Sequence, residues 1–230
     1  YYHTRISTSS STVNYRTLYQ PGGTMIGATD DYVGRVIEIG SDSEMGRWSY
    51  LRLLGKHGRH IMIVSVYQVC DQKAKNAGDR TAFAQQLSLL RRNEKDCSPR
   101  HSFFADLDTQ LKDWIDKGYE IILSGDLNEE LGANVTGFAN LSARWNLDEV
   151  IQHFHGLEDE PPAYARGKRR LDYLFMTPNL LPSVTRCGIV PYSEIIHSDH
   201  RALYVDINTI TMLGGDLASL SATPVRILKC

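Results

Sequence analysis

Residues 120–128 read Glu-Ile-Ile-Leu-Ser-Gly-Asp-Leu-Asn. Ile121, Ile122 and Leu123 follow one another with no polar residue between them, so an extended segment there is apolar on both faces. That is the mark of a strand covered from both sides. Gly125 closes the run, and Asp126 and Asn128 stand two positions apart just beyond it. In extended backbone such a pair projects to the same side. Residues 61–64, Ile-Met-Ile-Val, have the same two-faced apolar character, and that strand ends at Tyr67. Two buried strands therefore each deliver polar side chains at one end.

Working outward, residues 24–29, 33–39, 48–54 and 61–66 are short apolar runs separated by Gly- and Asp-containing turns, and they predict an antiparallel meander. Residues 79–92 carry Phe83, Leu87 and Leu90 at helical spacing. A second helix opens at Ser98 as N-cap with Pro99 behind it. It runs along a stripe of Phe104, Leu107, Leu111, Trp114 and Ile115 and stops at Gly118. Short helices are expected within 137–145 and 148–154, and strands at 171–176, 184–190 and 202–207. Strands first, then helices and strands mixed, predict an α+β layered domain rather than a doubly wound parallel sheet. Residues 1–18 are rich in Ser and Thr and read as irregular or disordered; 19–208 form the domain; 209–230 read as a tail or linker.

The formal charge of −2 excludes a global basic field but leaves room for a local basic rim. The four cysteines have neither metal-knuckle nor redox spacing and read as free thiols. No run of about 18 apolar residues is present, so no spanning helix and no membrane partner are expected. No signal-peptide pattern opens the chain, which favours an intracellular over a secreted location.

Several residues could carry chemistry. Asp126 offers charge, and Asn128 an amide that can orient it; an ordinary Asp/Asn turn after a strand has the same sequence. Asp199 and His200 are adjacent in a loop between two strands and could contact a metal and move protons, or form a surface turn. Asp172 lies early in an apolar strand, where a carboxylate is costly unless paired; His200 or a nearby Arg could be its partner. Tyr67 could donate to a phosphate oxygen or simply pack. Lys168, Arg169 and Arg170 lead into Asp172 and could grip phosphates, or balance Glu158, Asp159 and Glu160 as a solvated turn.

At these positions the sequence resembles the endonuclease/exonuclease/phosphatase superfamily. The motifs are SVYQV at 65–69, LSGDLNEE at 123–130, RRLDYLF at 169–175 and HSDHRAL at 197–203. YQPGGTMIG at 19–27 and GRW at 46–48 are similar to a variant of this domain found in retroelement-like reading frames. The resemblance spans about residues 19–208. It implies a DNase I-like four-layer sandwich of two facing mixed sheets with outer helices. It implies an Mg²⁺- or Mn²⁺-dependent phosphoester hydrolase, with nucleic acid, DNA ahead of RNA, as substrate; phosphomonoester and phospholipid substrates occur in the same superfamily. Asp126 would aim or activate the attacking water and contact the metal. Asn128 would orient Asp126, Asp199 would support the metal, and His200, paired with Asp172, would hold the phosphate beside Tyr67. The superfamily also places an Asn on its first strand and a metal-binding Glu on its second, both ahead of the GGT-like segment. Residues 1–20 contain no Glu. The expectation is a domain lacking those first two strands, either an enzyme completed from elsewhere or a non-catalytic module that keeps the fold.

Overall fold

The protein is described here by a computed structural model, which covers residues 4–10, 22–42, 44–71, 78, 81–134, 136–156, 162–164, 169–192 and 198–215. The first half contains β1 (Thr4–Ser9), β2 (Thr24–Thr29), β3 (Val36–Ser41), β4 (Trp48–Leu54), β5 (His60–Tyr67), α1 (Ala82–Arg92) and α2 (Pro99–Asp116). The second contains β6 (Glu120–Asp126), α3 (Phe138–Arg144), β7 (Asp148–Glu149), α4 (Val150–His155), β8 (Asp172–Met176), β9 (Val184–Ile189), β10 (Leu203–Ile207) and α5 (Thr209–Met212).

Six strands form one mixed sheet in the order β3-β4-β5-β6-β8-β7. The two doubly apolar strands lie at its centre: β5 and β6 pair in parallel, with Tyr67 opposite Asp126. A parallel pair needs a long crossover, and α1 and α2 supply it. β8 returns antiparallel to β6, which sets Asp172 opposite Asp126. The alternation of β5 explains its composition. Met62, Val64 and Val66 meet Phe103, Leu107, Leu111 and Trp114 of α2, while Ile61 joins Leu51, Leu53, Leu174 and Met176 on the other face. Leu107 and Leu111 are fully buried. Truncating either to Ala would cost about 2–5 kcal/mol. Ser98 caps α2 by accepting from the His101 amide, worth about 1 kcal/mol. Gly118, at φ +74°, lets the chain leave the helix.

The facing layer is two separate antiparallel pairs, β1 with β2 and β9 with β10, rather than one continuous sheet. β2 lies over β4 and β5, and β10 lies beside β8. Between them is an apolar trough of about 370 Å³, walled by Ile26 and Ala28 of β2 and by Val205 and Ile207 of β10, with Ile63 and Ile122 in its lining. Among the described residues β2 and β10 make no ladder with each other.

Three expectations need correction. Residues 4–9 are not irregular. Ser7 and Ser9 alternate inward, nearly buried, and their hydroxyls donate to the carbonyls of Gly40 and Asp42. The hydroxyl-rich run thus has a strand period that its polarity conceals; residues 11–18 lie outside the described residues. β2 pairs with β1 instead of continuing the meander, and of the 33–39 run only 36–39 joins the large sheet's edge, in a strand that continues to Ser41 after a 3₁₀ segment at Asp30–Arg35. The domain also runs past 208: Asn208 caps α5, and Met212 and Leu213 are buried in the core. No described helix is long and apolar enough to cross a membrane.

Candidate active site

The pairing register assembles the site. Tyr67, Asp126 and Asp172 occupy one row across β5, β6 and β8. Directly opposed residues share a face of the sheet. The parallel β5–β6 pair can close this tightly because residue 125 has no side chain: a Cβ on Gly125 would lie 1.8 Å from the Val66 carbonyl oxygen. His200 arrives from the loop before β10, and its Nδ1 is 3.0 Å from Asp172 Oδ2. Ligating atoms of Asp126, Asp172 and His200 all lie within 4.8 Å of one another.

Asn128 does not extend alongside Asp126 as an i, i+2 strand pair. Its φ is +47°, a left-handed conformation that Asn tolerates better than most residues, so the chain folds back over the carboxylate. Its backbone N–H donates to Asp126 Oδ1 at 2.9 Å and its Nδ2 to Oδ2 at 3.1 Å. The same Nδ2 donates to the Gln68 carbonyl at 2.7 Å, and the Cys70 thiol donates to Asn128 Oδ1 at 2.8 Å. Each carboxylate oxygen of Asp126 therefore has one fixed donor and a free acceptor direction.

Burial, and then repulsion from Asp172, push the Asp126 carboxyl up to about 6, against the Asn128 amides and His200, which favour the ionised form. The hydrogen bond to Asp172 raises the His200 imidazole above its ordinary value, with burial opposing. Burial, followed by the neighbouring Cys70 and Asp126, raises the Tyr67 phenol to about 12, so it stays a proton donor at neutral pH. Tyr164 packs on the His200 ring with centroids 5.1 Å apart.

The remaining candidates fall differently. Asp199 is exposed and outside the close cluster, although its charge contributes to raising His200. Arg170 is not available to a phosphate: its side chain is 3% exposed, pairs with Glu149, and lies 4.8 Å from the Tyr173 ring. Its Nε also donates to the Asp172 carbonyl. The reason is local. Arg170 precedes a strand whose neighbour β7 carries the buried carboxylate of Glu149, and pairing the two ions offsets part of the cost of burying them. Arg169 is exposed and 3.6 Å from Glu130. Lys168 lies outside the described residues.

Sequence reasoning passed over Arg100, Glu129, Cys70 and Tyr164. Arg100 had a signal: a cation in the first turn of a helix sits against the dipole, so it needs another partner. It finds Glu129 at 3.0 Å.

Neither protein-family models nor curated proteins gave a match to this sequence. Solved structures did. A 3′ phosphatase, NExo, from Neisseria, solved with a product DNA hairpin, superposes with a TM-score of 0.60 at 12% identity, over 90% of this chain and 79% of that one. The 3′-5′ exonuclease NExo from Neisseria meningitidis gives 0.60 at 13%, over 90% and 80%. The AP endonuclease LMAP from Leishmania major gives 0.59 at 16%, over 87% and 69%. At such identities the likeness is one of architecture, and it answers the expectation drawn from the motifs: this chain has the DNase I-like fold.

Proposed function

We propose that this domain is a metal-dependent phosphodiester hydrolase acting on nucleic acid. The observation that carries the reading is the row of Tyr67, Asp126 and Asp172, with His200 bound to Asp172, at one end of the central sheet. A phosphodiester needs its charge offset, a water aimed at phosphorus and a donor for the charge that develops. Asp126, held at both oxygens by Asn128, is the group to orient that water and accept its proton. Protonated His200, steadied through Nδ1 by Asp172, has Nε2–H to offer a phosphate oxygen. Tyr67, protonated throughout, is a second donor. Asp199 would act from the rim, through its charge, and Arg169, exposed at the end of the basic loop, would meet the nucleic-acid backbone.

The donor set fits a hard divalent cation. Two carboxylates face each other, and burial, then the charge of Asp172, drives Asp126 toward protonation; Mg²⁺ or Mn²⁺ would offset that concentration of negative charge. Asp126 and Asp172 would hold it, and when bound it would offset the charge of the phosphate. DNA is favoured over RNA because the neighbours named above include a phosphatase solved with DNA and an AP endonuclease. Cleavage of plasmid and abasic-site DNA with Mg²⁺ or Mn²⁺ tests the reading. Loss of cleavage in Asp126→Ala and His200→Ala is expected; cleavage unaffected by both would refute it.

One observation favours a second reading, a module that keeps the fold without turnover. The resemblance implies a metal-binding Glu, and among the described residues the close cluster of Asp126, Asp172 and His200 includes none. An inactive protein that still binds DNA would support this reading.

A further inference from the structure

We infer that Arg100 and Glu129 form a positioning clamp for the Asp126/Asn128 pair, cross-linking the two loops that carry the site. The inference rests on the hydrolase reading above. Arg100 stands in the first turn of α2, directly behind Pro99, where the helix dipole disfavours a cation. Its guanidinium spans both loops. Nη1 donates to the Val69 carbonyl, two residues past Tyr67, at 2.7 Å and to the Asn128 carbonyl at 3.4 Å. Nη2 donates to Glu129 Oε2 at 3.0 Å.

Glu129 anchors the other end. It is 8% exposed, and its Oε1 accepts from the Phe138 amide at 2.5 Å, in the first turn of α3. The carboxylate reaches that amide because residue 137 is glycine: a Cβ there would lie 2.6 Å from Glu129 Oε1. The next bonds along the same seam join the loops again, Gln68 N–H to the Asp126 carbonyl at 2.9 Å and Asn128 Nδ2 to the Gln68 carbonyl.

Asn128 is thus held at its carbonyl by Arg100, at its amide oxygen by Cys70 and at its amide nitrogen by Gln68 and Asp126. A left-handed Asn that turns back over a carboxylate keeps that pose only while its surroundings fix it. The clamp suits a guanidinium and not an ammonium, because three acceptors on two loops are met by one planar fork.

The test uses Arg100→Lys and Glu129→Gln, which keep volume and some hydrogen bonding. Activity is measured well below the unfolding temperature, and the Asn128 side-chain amide is followed by NMR. The clamp predicts a fall in kcat of about tenfold or more with KM nearly unchanged, larger in Arg100→Lys, as expected when a reacting group is displaced without loss of substrate contacts. It also predicts displaced and faster-exchanging Asn128 Nδ2 protons in both variants. A lower unfolding temperature with kcat and the Asn128 resonances of the unaltered protein would overturn it, leaving a structural ion pair only. If the unaltered protein cleaves nothing, the hydrolase reading fails by itself, and the Asn128 resonances still decide the clamp: displaced, it stands; unmoved, it falls.

Discussion

Asp126 and Asp172 face each other across neighbouring antiparallel strands, and His200 is bonded to Asp172. The two carboxylates therefore differ. One is paired with the His200 imidazole, while the other is half-buried, held by the Asn128 amides and raised to about 6.

Asp126 sets an acid limit. An acid whose folded value lies above its unfolded one binds its proton more tightly in the fold, so this group favours folding at low pH and loses that contribution as pH rises from about 4 to about 6. Above that window the fold carries the cost of a buried charge. Asp126→Asn removes that titration, so its stability should fall by on the order of 1–2 kcal/mol less than the parent's between pH 5 and pH 7, while cleavage is abolished. Denaturant titrations at pH 5 and pH 7 check the first part; a variant whose stability changes with pH as its parent's does contradicts it. In the unaltered protein without a cation, the Asp126 carboxyl should take up its proton as pH falls through about 6, and a bound divalent cation should move that titration to lower pH.

His200 sets the opposite limit. Its value is raised by Asp172, so the protonated form persists above the usual imidazole range. The matching contribution to folding is complete below the unfolded imidazole value and disappears as pH rises through the folded one. Asp172→Asn should return the His200 titration, followed by the NMR signal of the ring carbon-bound protons, to lower pH. The alkaline limb of activity should move with it. A titration unchanged in Asp172→Asn would contradict the pairing.

A divalent cation should stabilise the fold. At a concentration of 100 times its dissociation constant, a ligand that binds only the native state adds about 2.7 kcal/mol. Mn²⁺ or Mg²⁺ should raise the unfolding temperature of the unaltered protein and leave Asp126→Ala unmoved. An equal rise in both would place the cation elsewhere.

The two neighbouring arginines should separate cleanly. Removing Arg170 leaves the buried Glu149 without its cation, at a cost of about 3–5 kcal/mol. Arg169→Ala should leave stability within about 0.5 kcal/mol of the parent and reduce the salt dependence of DNA binding by about one phosphate contact. Thermal unfolding and binding measured at two salt concentrations distinguish them. A stable Arg170→Ala would contradict the buried pair.

What was legible in the sequence followed from periodicity and local chemistry. Strands β5 and β6, the cap and stop of α2, and the grouping of Asp126, Asp172 and His200 could all be read from apolar runs, Ser-Pro and Gly signals, and the motifs. What was hidden depended on tertiary partners. Ser7 and Ser9 read as irregular because their acceptors, Gly40 and Asp42, lie in and just past a strand far along the chain. Asn128 read as extended because its place just past a buried strand outweighed the tolerance of Asn for a positive φ. Arg170 read as a phosphate ligand or as part of a solvated turn because Glu149, which claims it, lies across the sheet.

The parallel pairing of β5 with β6 also bears on when the site comes into being. Tyr67 and Asp126 are neighbours only after the whole α1–α2 crossover has docked, and Asp172 and His200 join from still later segments. Contacts so distant in sequence form slowly, because loop closure must precede the bonds that reward it. During refolding, helical signal should recover ahead of cation binding, and a chain emerging from the ribosome would hold no working centre until residues past 200 were free to fold.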